Sequence, residues 1–271
     1  MLGFVIPIKP KAVSRDWNYD LCLLERTVRS ICGQTSSQFK IIIVFNERPE
    51  INFSHSNIMY AHYPFPTAKV DEIEDFDSYV VKHYNKEYAE KMMDKGKKIF
   101  YGCKIAKENG CDYIMAVDSD DLVSNKLALF VEQNANSGTA GWRINRGYIY
   151  EEGSFFVIKS NNIFGINGST HIIKSDIISI PDFNKNIFWN FNLFEAHGYT
   201  LQRLKDFHQK ELTNIFIFGI IYIVHKNNYS NIKGLTSMMS FKNIMRKIIR
   251  GKLLSKGICQ EFGLYKIIQK I

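Results

Sequence analysis

Tyr113-Ile114-Met115-Ala116-Val117-Asp118-Ser119-Asp120-Asp121 is the stretch on which the reading of this chain turns. An apolar run of strand character ends abruptly in three carboxylates within four positions. Like charges that close repel one another. A bound divalent cation removes that cost, so the run reads as a metal site at the carboxyl edge of a sheet, where open α/β folds bind ligands. A second reading stands beside it. Asp and Ser also suit turns and helix N-caps, and the helical-looking Leu127-Ala128-Leu129-Phe130-Val131 follows. A short acidic motif does not by itself decide between the two.

The upstream pattern bears on the choice. Residues 2–8 read as a buried first strand, and Leu21, Leu24, Val28, Ile31 and Cys32 recur at helical spacing up to Gly33. Phe39-Lys40-Ile41-Ile42-Ile43-Val44-Phe45 is nearly continuous in apolar character, as in parallel sheets covered on both faces. Residues 58–63 read as a third short strand. An acidic loop follows, then a helix near 78–94 and another at about 97–109, closed by Asn109-Gly110. This alternation predicts an α/β fold with a mostly parallel sheet flanked by helices.

The second half changes character. Residues 147–158 read as a hairpin, His171-Ile172-Ile173 as a short strand, 190–212 as loosely helical, and 215–224 as a last apolar strand. That last run falls short of the ~20 residues a membrane-spanning helix needs. No repeat or linker divides the chain, so the simplest partition is one domain, 1–240, and a tail, 241–271. In the tail Phe241, Ile244, Met245, Ile248, Ile249 and Leu253 fall on one helical face, with Lys242, Arg246, Lys247 and Arg250 largely elsewhere. A basic amphipathic helix suits an anionic membrane surface. The same pattern also fits an apolar face packed on the body.

Of the net charge of +8, residues after 240 supply +7, from eight basic residues against Glu261 alone. The body is close to neutral, which removes the electrostatic support for nucleic-acid binding. The five cysteines, Cys22, Cys32, Cys103, Cys111 and Cys259, form no CxxC pair and read as reduced thiols. The start, Met1-Leu2-Gly3-Phe4, shows no basic n-region or cleavage site. The expectation is a cytoplasmic protein, peripheral on the inner face of the membrane if the tail binds lipid.

Taken in order, three elements form a pattern: Ser30-Ile31-Cys32-Gly33-Gln34-Thr35, the Ile/Val-rich strand 39–44, and Asn109 to Asp121 with its Asp-x-Asp-Asp end. This pattern resembles the GT-A glycosyltransferases, particularly the bacterial family A group (family 2-like) that uses nucleotide-sugar donors. The resemblance covers residues 1–135 well, thins from 140 to 240 and is absent in the tail. It implies a Rossmann-like GT-A sheet, a Mn²⁺ or Mg²⁺ ion, and a donor whose departing diphosphate that ion neutralises.

The resemblance also assigns roles. Asp120 is the direct metal ligand, Asp118 binds the metal or the ribose hydroxyls, and Asp121 orients waters or the donor sugar. His225, after the last apolar strand, completes the metal shell; imidazole beside carboxylates suits Mn²⁺. Pro7 and Arg15 flank the nucleotide. Asn46-Glu47 stand where the family often has a base-binding Asp. Lys97 and Lys98 lie near its diphosphate-binding basic residue. Trp142 and Ser169, in the turn Gly168-Ser169-Thr170, fall on the acceptor side, though a buried Trp bracing a hairpin is the commoner case. The catalytic base falls at Glu195 or His197, with Asp206 a third candidate.

The leading expectation is therefore a metal-dependent, inverting glycosyltransferase acting on a glycan or lipid-linked acceptor in surface polysaccharide synthesis. The alternatives are a sugar nucleotidyltransferase and a non-enzymatic, basic-tailed membrane-binding module. Against the first, the loop Pro10-Lys11-Ala12-Val13-Ser14-Arg15 has no glycine.

Overall fold

The computed structural model describes residues 1–67, 69–70, 82–136, 138–183, 193–194, 198–225 and 250–267. Strands β1 (Leu2–Pro7), β2 (Phe39–Phe45), β3 (Ile58–His62) and β4 (Tyr113–Ala116) form the parallel half of one sheet, in the order β3-β2-β1-β4. Helices α1 (Trp17–Cys32) and α2 (Lys86–Glu108) lie in the crossovers. The chain builds outward from β1 through β2 to β3, then returns to lay β4 on the other side of β1. Strand order thus reverses between β1 and β4, and such a switch point opens a crevice at the strands' carboxyl ends.

The other half is antiparallel. β8 (His171–Lys174) pairs with β4, and the long β6 (Gly141–Glu151) pairs with β8 and with β7 (Phe156–Ser160). β9 (Thr213–Val224) runs parallel to β6 and antiparallel to the two-residue β5 (Leu122–Val123). The expected sheet is therefore mixed: the first 116 residues supply four parallel strands, and beyond them only the β6–β9 pairing is parallel. Helices α3 (Leu127–Asn134), α4 (Thr200–His208) and α5 (Lys256–Phe262) complete the described elements. The whole is a Rossmann-like α/β arrangement.

The strands are apolar on both faces because both are covered. One cluster joins Phe4, Ile6, Ile41 and Ile43 to Leu24, Val28 and Ile31 of α1. The other joins Val5, Ile42, Val44 and Ile114 to Met93, Ile99, Phe100 and Cys103 of α2. α2 crosses β1 closely: a Cβ on Gly102 would lie 2.3 Å from Val5 Cγ1.

Two expectations need correction. The helices placed near 78–94 and 97–109 are one helix over 86–108, running unbroken through the buried Gly96. Glycine costs a helix interior only about 1 kcal/mol, less than this helix gains from its buried face. Leu253, placed on a helical face of the tail, belongs to β10 (Gly251–Leu253), which pairs with β7, and is 75% exposed. Beyond it Ile258, Phe262 and Leu264 are buried against Tyr148, Tyr150 and Ile221 of the body. Residues 241–249, the centre of the predicted amphipathic helix, lie outside the described residues. No helix among the described residues is long and apolar enough to cross a membrane.

Candidate active site

The crevice at the switch point is a cavity of about 740 Å³. Its floor is the end of β1, Pro7 and Ile8. The loop to α1 supplies Arg15, the end of β4 supplies Asp118, Ser119 and Asp120, and the end of β9 supplies Tyr222 and His225. α2 lays Lys91, Asp94, Lys95 and Lys98 along one wall. Asp94 and Lys95 stand three and four positions after Lys91, and Lys98 four and three after them, so the four share one helical face.

Oxygens of Asp118, Asp120 and Asp121 lie within 4.8 Å of one another. They differ sharply in surroundings. Asp118 pairs with Lys95 Nζ at 2.5 Å. Asp120 Oδ2 is 2.8 Å from His225 Nε2. Burial works against the Asp120 charge, but His225 and Lys95 outweigh it and hold its pKa below the usual carboxylate value. Asp121 is buried behind them, its Oδ2 accepting from Asn167 Nδ2 at 2.7 Å and Ser169 Oγ at 2.6 Å. Burial, with the charges of Asp120 and Asp118, pushes the Asp121 pKa well up. Its Oδ1 is buried with no hydrogen-bond partner. Clustered hard oxygens beside an imidazole suit Mg²⁺ or Mn²⁺, and the orphaned Oδ1 marks a local excess of acceptors. The donor set therefore fits a divalent cation.

The Gln34-Thr35 signature turns out to be a brace for this motif. Gln34 Nε2 donates to Ser124 O at 2.8 Å, while its Oε1 accepts from Ala128 N at 2.8 Å. Thr35 Oγ1 donates to Asn125 O, and Ser30 Oγ both accepts from Val123 N and donates to Val123 O, each at 3.0 Å. The alternative reading of the acidic motif as an N-cap is thereby answered. β5 intervenes, α3 starts after Lys126 without a side-chain cap of its own, and Gln34 satisfies its first turn.

The remaining candidates scatter. Pro7, Arg15 and Lys98 line the cavity. Lys98 Nζ is buried, donating to Ile8 O at 2.9 Å and to Asp94 Oδ2 at 2.7 Å. Burial lowers the Lys98 pKa and raises that of Asp94. Lys97 is buried on the same helix but does not line the cavity. Neither does Asn46, and its neighbour Glu47 accepts from Lys11 N at 3.1 Å. Trp142 is 4% exposed in β6, with ring contacts at 4.8 Å to Tyr113 and 5.5 Å to Phe130; it belongs to the core, not to an acceptor surface. Ser169 stands behind the motif, bonding Asp121 and accepting from Asp118 N at 2.9 Å. Asp206 is exposed on α4, away from the cavity, and bonded to Gln202. Glu195 and His197 lie outside the described residues. The sequence reading passed over Lys95, Asp94 and Asn167. The first two were legible once 86–108 is treated as one helix, since 91, 95 and 98 share a face.

No protein-family model matches the chain, and no curated protein matches it. Among solved structures, the S. aureus TarS 1–349 fragment is similar over 82% of this chain and 60% of that one, at 10% identity and a TM-score of 0.46. The same fragment in complex with UDP-GlcNAc is similar over 84% and 59%, at 10% identity and 0.45. Francisella tularensis 2-C-methyl-D-erythritol 4-phosphate cytidylyltransferase is similar over 92% and 99%, at 11% identity and 0.40. The chain thus spans about 60% of the TarS fragment's length.

Proposed function

We propose that this chain is a metal-dependent glycosyltransferase, moving a sugar from a nucleotide-sugar donor to a hydroxyl of a glycan or lipid-linked acceptor in surface polysaccharide synthesis. One observation carries the reading. Asp118 and Asp120 share one cavity, at the carboxyl ends of β1 and β4, with a bank of cations made of Arg15, Lys91, Lys95 and Lys98. A sugar nucleotide with its divalent ion is a ligand that needs both signs of charge at close quarters.

In the reaction the acceptor oxygen bonds to the anomeric carbon. The bond from that carbon to the diphosphate breaks, its electron pair leaving with the diphosphate, and the hydroxyl proton passes to a base. A Mg²⁺ or Mn²⁺ ion held by Asp120, Asp118 and His225 would supply Lewis-acid neutralisation of the leaving diphosphate. Asp121, fastened by Asn167 and Ser169, fixes the backbone turn that presents the two outer carboxylates. Pro7 and Arg15 flank the nucleotide. The base is assigned to Glu195 or His197, and inversion follows from single displacement. The basic segment Lys242, Arg246, Lys247 and Arg250 is assigned to an anionic membrane surface, which would hold the enzyme beside a lipid-linked acceptor.

The test is a thermal-shift panel of UDP, GDP, CDP and ADP with and without Mn²⁺, followed by donor hydrolysis. Stabilisation by one nucleotide that requires the metal supports the reading. Asp120→Ala should lower metal-dependent turnover by at least about 100-fold. Full turnover in that variant would overturn the assignment.

A further inference from the structure

Asp118 and Asp120 hold cationic or hydrogen-bonding partners from the protein itself, and those partners are not equivalent. His225 can turn from partner of Asp120 to metal ligand, because imidazole carries a lone pair. Lys95 cannot: an ammonium has three donors and no acceptor. While its Nζ rests 2.5 Å from Asp118, the place beside that carboxylate is filled by a positive charge. A divalent ion entering the cluster meets Lys95 as a competitor.

We propose that Lys95 is an exchangeable counter-ion, which neutralises Asp118 when no metal is bound and passes to the donor diphosphate when the metal arrives, so that metal and diphosphate bind cooperatively. This rests on the metal–diphosphate reading of the cavity and adds to it a coupling between the two ligands.

The geometry separates Lys95 from its neighbours on α2. Lys98 is a fixed cation, its side chain 1% exposed and its Nζ held by both Ile8 O and Asp94. Lys91 pairs with Glu87 at 2.6 Å. Lys95 is 31% exposed and faces the cavity, with room for its four-carbon stem to swing. Its backbone stays fixed, ten residues inside a helix of 23. The displaced ammonium needs an anion. In the proposed complex the diphosphate is that anion, and its presence lowers the cost of the exchange. Coupling of this kind is reciprocal: metal must tighten the diphosphate by the factor with which the diphosphate tightens metal.

Mn²⁺ binding, followed by the electron spin resonance of the free ion, provides the test. The proteins are the full chain, Lys95→Met, Lys95→Arg and Asp120→Ala. Without nucleotide, Lys95→Met should bind Mn²⁺ about tenfold more tightly than the parent, and Lys95→Arg should match the parent. With the nucleoside diphosphate selected by the thermal-shift panel, both proteins should gain Mn²⁺ affinity, the parent by about tenfold more than Lys95→Met, which also binds the nucleotide more weakly. Lys95→Gln serves in place of Lys95→Met if the latter gives no cooperative unfolding transition. Equal or weaker Mn²⁺ binding by the neutral variant, with binding abolished in Asp120→Ala, overturns the exchange and leaves the metal site standing. Undiminished binding in Asp120→Ala overturns the metal-site reading and the exchange with it.

Discussion

At the scale of single residues, the buried pair Asp94–Lys98 shows how the cavity wall is held. Both side chains are almost wholly buried, at 8% and 1% exposure. Removing one member of such a pair leaves an uncompensated charge and costs about 3–5 kcal/mol, whereas replacing both is often close to neutral. Lys98→Met should therefore destabilise the protein strongly in urea titrations at pH 7, and Asp94→Asn/Lys98→Met should recover most of the loss. The pH dependence has a definite sign. Burial raises the Asp94 pKa, so its contribution is fullest below the unfolded carboxylate value of about 4 and is lost as pH rises through the folded value. In Lys98→Met the raising is larger still, so the loss should shrink as the pH is lowered toward 4. A loss that stayed constant with pH would remove Asp94 as its cause. At this same scale the sequence spoke unevenly. Asp118 and Asp120 were legible because three acids in four positions have few inexpensive explanations. Lys95 was not, because a lysine among Asp94-Lys95-Gly96-Lys97-Lys98 declares its direction only when the helix register is known.

Among the elements, α2 decides the register. Apolar periodicity placed strands 39–45 and 58–63 and the helix ending at Gly33 with small errors at the ends, since both faces of the parallel strands are covered and every position reports burial. α2 was divided at Gly96 because glycine punctuation outweighed a faint apolar stripe interrupted by lysines. Three of those lysines, Lys91, Lys95 and Lys98, face the cavity, so residues that obscured the helix are among those that build the site. The antiparallel half was harder to order. β6 takes partners on both edges, and pairings between strands far apart in sequence leave no periodic trace. The close passage of α2 over β1 gives a further prediction. A methyl group at Gly102 would sit 2.3 Å from Val5 Cγ1, and over-packing of this kind costs about 1–3 kcal/mol. Gly102→Ala should lower the unfolding free energy by that amount, read as a lower urea midpoint at an unchanged slope, and should tighten Mn²⁺ binding without nucleotide as Lys95 is carried away from Asp118. Unchanged stability would mean that α2 is free to retreat from the sheet.

For the whole molecule, the question is whether the C-terminal segment is an appendage or a part of the body. The charge run after residue 240 suggested an appendage. Yet residues 250–267 contribute a sheet edge and three buried side chains, Ile258, Phe262 and Leu264. They also complete two polar arrangements. The buried Arg26 makes a two-pronged pair with Glu152, at 2.8 and 3.1 Å, and donates to Tyr265 O at 3.0 Å. Glu261 accepts from Ser124 Oγ at 2.7 Å and Lys126 Nζ at 3.0 Å, and its carbonyl accepts from Asn125 N. Ser124 to Lys126 is the loop that leaves the acidic motif, braced from its other side by Gln34 and Thr35. The segment thus clamps the acidic loop from behind. Each buried side chain lost costs about 1.5–3 kcal/mol, so a chain ending at residue 249 should lose most of its stability and its Mn²⁺ binding together. The proposed membrane association, by contrast, rests on charge upstream of this clamp. Replacing Lys242, Arg246 and Lys247 by Gln should leave the thermal midpoint and Mn²⁺ binding unchanged and lower sedimentation with phosphatidylserine vesicles by at least about tenfold, each basic residue near such a surface contributing about 1 kcal/mol. If the triple substitution unfolds the protein, the segment is structural and the membrane role falls. If vesicle binding is unchanged, the positive charge there serves the fold's solubility, and the enzyme must meet its acceptor from solution.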